Sequence, residues 1–218
     1  MPINPKTELT QLRRAILTLG AAVEQRVAKV VEALVNHDVE VARFVRTSDT
    51  EIDEMEVDIE EECFRALALT QPVAGDLRFI LSVLRINNEL ERIADLAKGI
   101  AKRVLHMETE APVMIPPALT EMAYSALKML SDALSSLANH DANLCRSVRR
   151  SDQRVDDLQK EIFAWVHSEI PRHVEVTQGA IDVLSIARAL ERIADMSTNI
   201  AEDVMFLIEG SVVRHQRV

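Results

Sequence analysis

Four pairs of carboxylates stand four residues apart in this sequence: Asp49 with Asp53, Glu91 with Asp95, Asp152 with Asp156, and Glu191 with Asp195. On a helix, each pair would lie on one face, one turn apart. Like charges so placed cost a helix about 0.2–0.5 kcal/mol per pair, so helix stability does not ask for them. A shared cation would. Two carboxylates one turn apart can hold one ion or bridge two, and a second pair on a neighbouring helix would complete an oxygen shell. Neither sulfur nor imidazole recurs with the pattern, so the ion would be a hard one: magnesium, manganese or oxidised iron. Asn88, Asn199 and Glu202 continue the same faces with further oxygen ligands. The plain alternative is a solvated face, which is what charged residues opposite an apolar stripe usually form. A solvated face, however, has no reason to keep both residue type and spacing twice.

The pairs sit inside an internal repeat. LERIAD occurs at 90–95 and again at 190–195, a separation of 100 residues. NHD at 36–38 returns at 139–141, and RTSDTEID at 46–53 parallels RRSDQRVD at 149–156, both 103 apart. The second copy therefore has a connection three residues shorter. Each copy holds three periodic segments, a three-helix unit used twice. Asp38 and Asp141 are N-cap residues for the helices that follow, and Asp76 could cap another. Pro72 and Gly75 break the first copy, and Pro171 and Gly179 bracket the matching break in the second. The spacing predicts helices over 7–36, 39–70, 76–107, 118–139, 142–170 and 177–209. The expected division is a first bundle at 1–108, a Pro-rich linker at 109–117 and a second bundle at 118–218. The third helix of each copy carries an apolar stripe: Ile86, Leu90, Ile93, Ala97, Ile100 and Val104, then Ile186, Leu190, Ile193, Ile200, Val204 and Leu207, with Ser197 as the polar exception. At about 100° per residue, the Glu and Asp of LERIAD fall nearly opposite this stripe. The predicted fold class is all-α.

Composition bounds the function. Only 5 Gly and 7 Pro interrupt 218 residues, which favours long helices, and aromatics at 3% leave an aliphatic core with no base-stacking platform. The net charge of −10 repels nucleic acid and anionic lipid and attracts cations. Cys63 and Cys145 form no paired motif, as expected of reduced thiols. The N-terminus has no apolar signal core and no segment approaches a membrane span, so a cytoplasmic location is expected. No phosphate-binding glycine loop, nucleophile elbow or zinc-protease motif occurs, and no E-x-x-H of a helical di-iron enzyme. The chain is not expected to be an enzyme. His37 and His140 recur beside the caps, where a polar helix end accounts for them.

Taken together, LALTQPVAGDLRFILSVLRINNELERIADLAKGIAKRV at 66–104 and SIARALERIADMSTNIAEDVMFLIEG at 185–210 resemble the two signatures of the PhoU family, phosphate-transport accessory and regulatory proteins. The D-x-x-x-D blocks and two-copy layout extend the resemblance over nearly the whole chain. It implies two three-helix bundles related by a pseudo-twofold axis. It implies metal ions (iron, manganese, magnesium or zinc) at Asp49, Asp53, Glu91 and Asp95 in the first copy, and at Asp152, Asp156, Glu191, Asp195 and Asn199 in the second. It further implies a cytoplasmic negative regulator, commonly a homodimer, that couples the ATPase subunit of a phosphate ABC transporter to a sensor histidine kinase and meets the membrane only through partners. A metal-dependent helical enzyme, a metal-storage protein and a plain scaffold are the competing readings. The first copy departs from the family pattern, with Gly99 and Lys102 where the second has Asn199 and Glu202. The second site is therefore expected to bind metal more tightly.

Overall fold

Among the described residues seven α-helices form, the second and third being one segment interrupted at Ser48. A computed structural model of the chain describes residues 5–48, 50–109 and 113–210. In the first copy these are α1 (Pro5–Asn36), the interrupted pair α2 (Val39–Thr47) and α3 (Thr50–Thr70), and α4 (Ala74–Met107). In the second they are α5 (Pro117–Asn139), α6 (Ala142–Glu169) and α7 (Thr177–Glu209), with a short 3-10 turn at Val174–Val176 before α7. No strand occurs among the described residues.

The repeated Asn-His-Asp turns show why the boundaries fall where they do. His37 and His140 take left-handed backbone angles, φ 54° and 53°, that end one helix. The next N–H, of Asp38 or Asp141, reaches back to the carbonyl of Ala33 or Ser136 at 3.0 and 3.1 Å, the bond that closes a left-handed helix end. The same aspartates then cap the following helix. Asp38 Oδ1 accepts from the Glu40 and Val41 amides, and Asp141 Oδ1 from those of Asn143 and Leu144. Asp76 behaves otherwise than expected. Helix α4 starts at Ala74 after Val73, which offers no side-chain cap, and Asp76 lies inside the first turn, where its charge suits the helix dipole.

The interruption of the second helix departs from the continuous segment predicted over 39–70. From α1, the guanidinium of Arg26, 7% exposed, donates to the Ser48 carbonyl. Thr47, Ser48, Asp49 and Thr50 are all weak helix formers that compete for their own backbone. The second copy has Met129, Arg150 and Gln153 in place of Arg26, Thr47 and Thr50. There α6 runs unbroken from Ala142 to Glu169.

The apolar stripes of α4 and α7 are buried as their period requires, with Leu90, Ile93, Leu190 and Ile193 at 0% exposure. Buried Ser197, the polar exception, turns its hydroxyl to the Ile193 carbonyl at 2.7 Å. The two copies join along α4 and α7, which run antiparallel. Arg85 pairs with Asp203 at 3.1 Å, Asn199 donates to Glu89 at 3.2 Å, and Arg103 pairs with Asp182 at 3.1 Å. His106 Nδ1 lies 2.6 Å from the same Asp182. The Ser82 hydroxyl donates to the Asp203 carbonyl at 3.4 Å. Positions 82 and 203 thus meet as 182 and 103 do, with repeat-equivalent positions exchanged, which is what a pseudo-twofold axis between the helices demands. Asp182 and Asp203 are buried, and each has an arginine from the other copy, so neither charge is left uncompensated. Apolar residues of both copies share one core. Two close approaches depend on glycine. A Cβ on Gly20 would lie 2.8 Å from Leu134 Cδ2 between α1 and α5, and one on Gly179 would lie 2.6 Å from Val113 Cγ1, where the segment before α5 crosses the start of α7.

The capping assignment has a direct test. Asp38→Ala and Asp141→Ala should each cost about 1 kcal/mol in urea unfolding, because each leaves two helix amides without their carboxylate. Asp76→Ala should cost clearly less. Equal losses at all three positions would contradict it.

Candidate metal centres

Each copy brings its acidic residues together in the groove between its second and third helices. In the first, Asp53 on α3 faces Glu91 and Asp95 on α4. Glu91 is half-buried, and burial pushes its carboxyl above the usual range; Asp95, Glu56 and Asp53 push it the same way. Glu56 is itself raised, first by burial, then by Glu60 and Asp53. In the second copy, Asp152 and Asp156 on α6 face Glu191 and Asp195 on α7. Burial, then Asp195 and Asp156, push Asp152 up to about 6. Glu191 is raised by burial, Asp195, Asp156 and Asp152, and Asp195 by burial and Asp156. Two grooves built from different residues thus share one electrostatic condition, carboxylates crowded against carboxylates and partly shielded from water.

Seven of the nine predicted ligands fall in the two grooves. Asp49 lies outside the described residues. Asn199 is on α7, but its amide points across the seam to Glu89 of the first copy. Glu202, expected to extend the second site, is held by Arg149 at 3.3 Å. Asn199 therefore turns away from the second groove, whereas Glu202 stays beside it, where its charge also raises Asp152. In the first groove the cation beside Asp95 is Lys98, whose Nζ lies 3.0 Å from Oδ1, and Lys102 has no such contact with it. Among the described residues, no three His, Cys, Asp or Glu side chains converge closely enough to hold an ion. The carboxylates stand near enough to repel and too far apart to chelate. The donor set is all oxygen, the type a hard cation takes, but it does not close around one point. A buried oxygen without a donor, Asn87 Oδ1, lies beside the first groove. Both cysteines are buried free thiols, Cys63 pushed up to about 12 by burial, so neither offers a thiolate.

Glu56, Asn87 and Lys98 are the groove residues that the repeat did not flag. Glu56 follows Asp53 by three and Asn87 precedes Glu91 by four, so the helical period alone would have included them. They escaped because the second copy has Gln159 and Ala187 at these places.

Fold and site together define a duplicated three-helix bundle with an acidic groove in each copy. The family model described as the PhoU domain matches this chain twice, over residues 16–104 and 119–204. The chain belongs to the PhoU family. It is 36% identical over 211 residues to the phosphate-specific transport system accessory protein PhoU homolog of Pseudomonas aeruginosa, covering 95% of this chain and 86% of that protein. The crystal structure of PhoU from Pseudomonas aeruginosa superposes with a TM-score of 0.91 at 34% identity, covering 95% of this chain and 100% of that one. The crystal structure of the phosphate transport system regulatory protein PhoU from Streptococcus pneumoniae gives 0.88 at 30% identity, covering 96% and 99%.

The raised Asp152 carboxyl has a consequence for the metal-free protein. Folding moves this group from an ordinary 3.8 to about 6, so the folded state holds the proton more firmly than the unfolded one. The resulting stability is complete below the ordinary value and is lost as pH rises through about 6. In chelator, the melting temperature of the wild type should fall from pH 4 to pH 6.5 relative to that of Asp152→Asn. Parallel pH profiles for the two proteins would show that Asp152 is not crowded.

Proposed function

We propose that this protein is a non-enzymatic, cytoplasmic regulator of phosphate uptake that holds phosphate-starvation signalling off when phosphate is plentiful. The observation that carries the reading is the double match to the PhoU domain, together with relatives spanning nearly the whole chain that are named as accessory proteins of a phosphate-specific transport system. The partners of this reading are the ATPase subunit of the phosphate ABC transporter and a sensor histidine kinase, and the working form is a homodimer. No described helix is long and apolar enough to cross a membrane. A net charge of −10 opposes direct adsorption to anionic lipid, so the protein reaches the membrane through its partners.

The grooves belong to the same reading. Cations, whether iron, manganese, magnesium or zinc, would be held by Asp53, Glu91 and Asp95 with Asp49 in the first copy, and by Asp152, Asp156, Glu191 and Asp195 in the second. What a bound ion supplies is positive charge. The chain's own contribution is to set carboxylates of two helices against each other, so that neutralising them ties α3 to α4 and α6 to α7. The face that partners would meet thereby becomes dependent on cation loading.

Deletion of the gene should switch on phosphate-starvation genes in phosphate-rich medium, and the purified protein should retain the transporter ATPase without turning over phosphate esters. Continued repression in the deletion strain would overturn the regulatory assignment, and ester turnover lost with Glu191→Ala would favour a metal-dependent enzyme.

A further inference from the structure

We propose that the outer face of α3 docks a basic amphipathic helix of a partner protein, laid lengthwise as in a two-stranded coiled coil. The inference rests on the reading of the chain as a regulator that works through bound partners, and it adds where one partner sits and what its surface carries. Glu54, Val57, Glu61, Phe64 and Ala68 follow steps of three, four, three and four. That spacing lines side chains along one seam of a helix. All five are exposed. Val57 is 49% and Phe64 56% exposed, although α3 already has an inward stripe in Ile52, Ile59, Cys63 and Ala66. One apolar side chain on a surface needs no explanation. Here two stand two turns apart on one seam, each preceded by a glutamate of the same seam. The helix around them holds eight acidic residues and one basic residue, a net charge of −7.

The second copy forms its bundle without this seam. At the repeat-equivalent places, 103 residues on, it has Asp157, Lys160, Ala164, His167 and Pro171. Helix α6 holds five acidic and five basic residues, so it carries no net charge. A lysine and a histidine thus serve the fold where the first copy exposes Val57 and Phe64. The charge of α3 then selects the occupant. Another copy of this chain carries the same −10, and pairing α3 with its own copy would set −7 against −7. Anionic lipid and nucleic acid are repelled in the same way. A helix with lysine or arginine opposite Glu54 and Glu61, and leucine-like residues opposite Val57 and Phe64, matches both halves of the seam. The apolar contacts supply affinity. A seam glutamate covered without a cation opposite it is unfavourable, and that fixes partner and register. The stretch from Glu54 to Ala68 spans about 21 Å, so a partner helix of about four turns covers it.

The test uses the full chain and a synthetic helical peptide with lysine and leucine alternating at its seam positions, followed by fluorescence anisotropy. The peptide should bind, and more weakly as salt rises. Val57→Lys with Phe64→His gives α3 the second copy's residues at positions already exposed, so the melting temperature should hold. Peptide affinity should fall roughly tenfold or more, as it does when central apolar anchors are lost. Glu61→Lys should weaken binding as well. A second peptide, with glutamate in place of the facing lysine, should bind Glu61→Lys better than the wild type. Phe163→Ser, at an exposed phenylalanine on neutral α6, should leave affinity unchanged. No binding of the lysine peptide, equal binding to the wild type and to Val57→Lys with Phe64→His, or no recovery in the charge exchange would overturn the proposal. Sedimentation in which that same double variant turns a wild-type dimer into monomers would assign the face to a second copy, and would overturn it too. The regulatory reading fails separately: starvation genes that stay repressed in the deletion strain, while the peptide still binds α3, would remove that reading and leave the docking face standing.

Discussion

In LERIAD one helix serves two neighbours, and the period of 3.6 residues per turn decides which side chain meets which. Leu90, Ile93, Leu190 and Ile193 turn inward to the shared core, so the α4–α7 seam is apolar at its centre. The same geometry throws Glu91 and Asp95, with Glu191 and Asp195, toward the flanking helices α3 and α6. The seam cannot change without moving the grooves, because both are faces of the same two helices. Its polar ends fix the register. Asp182 and Asp203 are buried acids, and each depends on an arginine of the opposite copy. Sliding α4 against α7 by one turn would strand both charges away from water, a misfit that costs several kcal/mol per ion.

A second constraint follows from the first. Once the seam has placed α4 and α7, the flanking helices must pack where their own acids face those of LERIAD. Protein interiors normally answer such crowding with a lysine or arginine, and elsewhere this chain does so, with Arg149 on Glu202 and Lys98 on Asp95. Around Glu91 and Asp152 the answer is incomplete, and burial and like charge hold both carboxyls high. The fold therefore carries electrostatic strain in its two grooves. Only positive charge placed between α3 and α4, and between α6 and α7, would relieve strain of this kind.

Much of this was legible beforehand because the signals were local and written twice. Helix stripes, the Asp38 and Asp141 caps and the left-handed histidines before them depend on residues within a few positions of one another. What escaped depends on a partner from another helix. The break at Ser48 needs Arg26 from α1, which no reading of 39–70 alone includes. Asn199 has the right spacing for the second site, yet Glu89 of the other copy engages its amide. Lys102 was the lysine expected to disturb the first site, whereas Lys98, one turn from Asp95, is the one that contacts it. Repetition points to the carboxylates that both copies share and passes over Glu56 and Asn87, which only the first copy has. The Asp76 cap failed for a smaller reason: α4 begins two residues earlier, at Ala74, behind Pro72 and a left-handed Gln71.

The central claim is that both acidic grooves are cation sites, and locating the ions tests it most directly. Crystals of the full chain soaked in manganous chloride, measured on either side of the manganese absorption edge, should show anomalous density in both grooves. One peak should lie between α3 and α4 beside Glu91, and one between α6 and α7 beside Asp152 and Glu191. Peaks confined to other surfaces, with both grooves holding only water, would contradict the account.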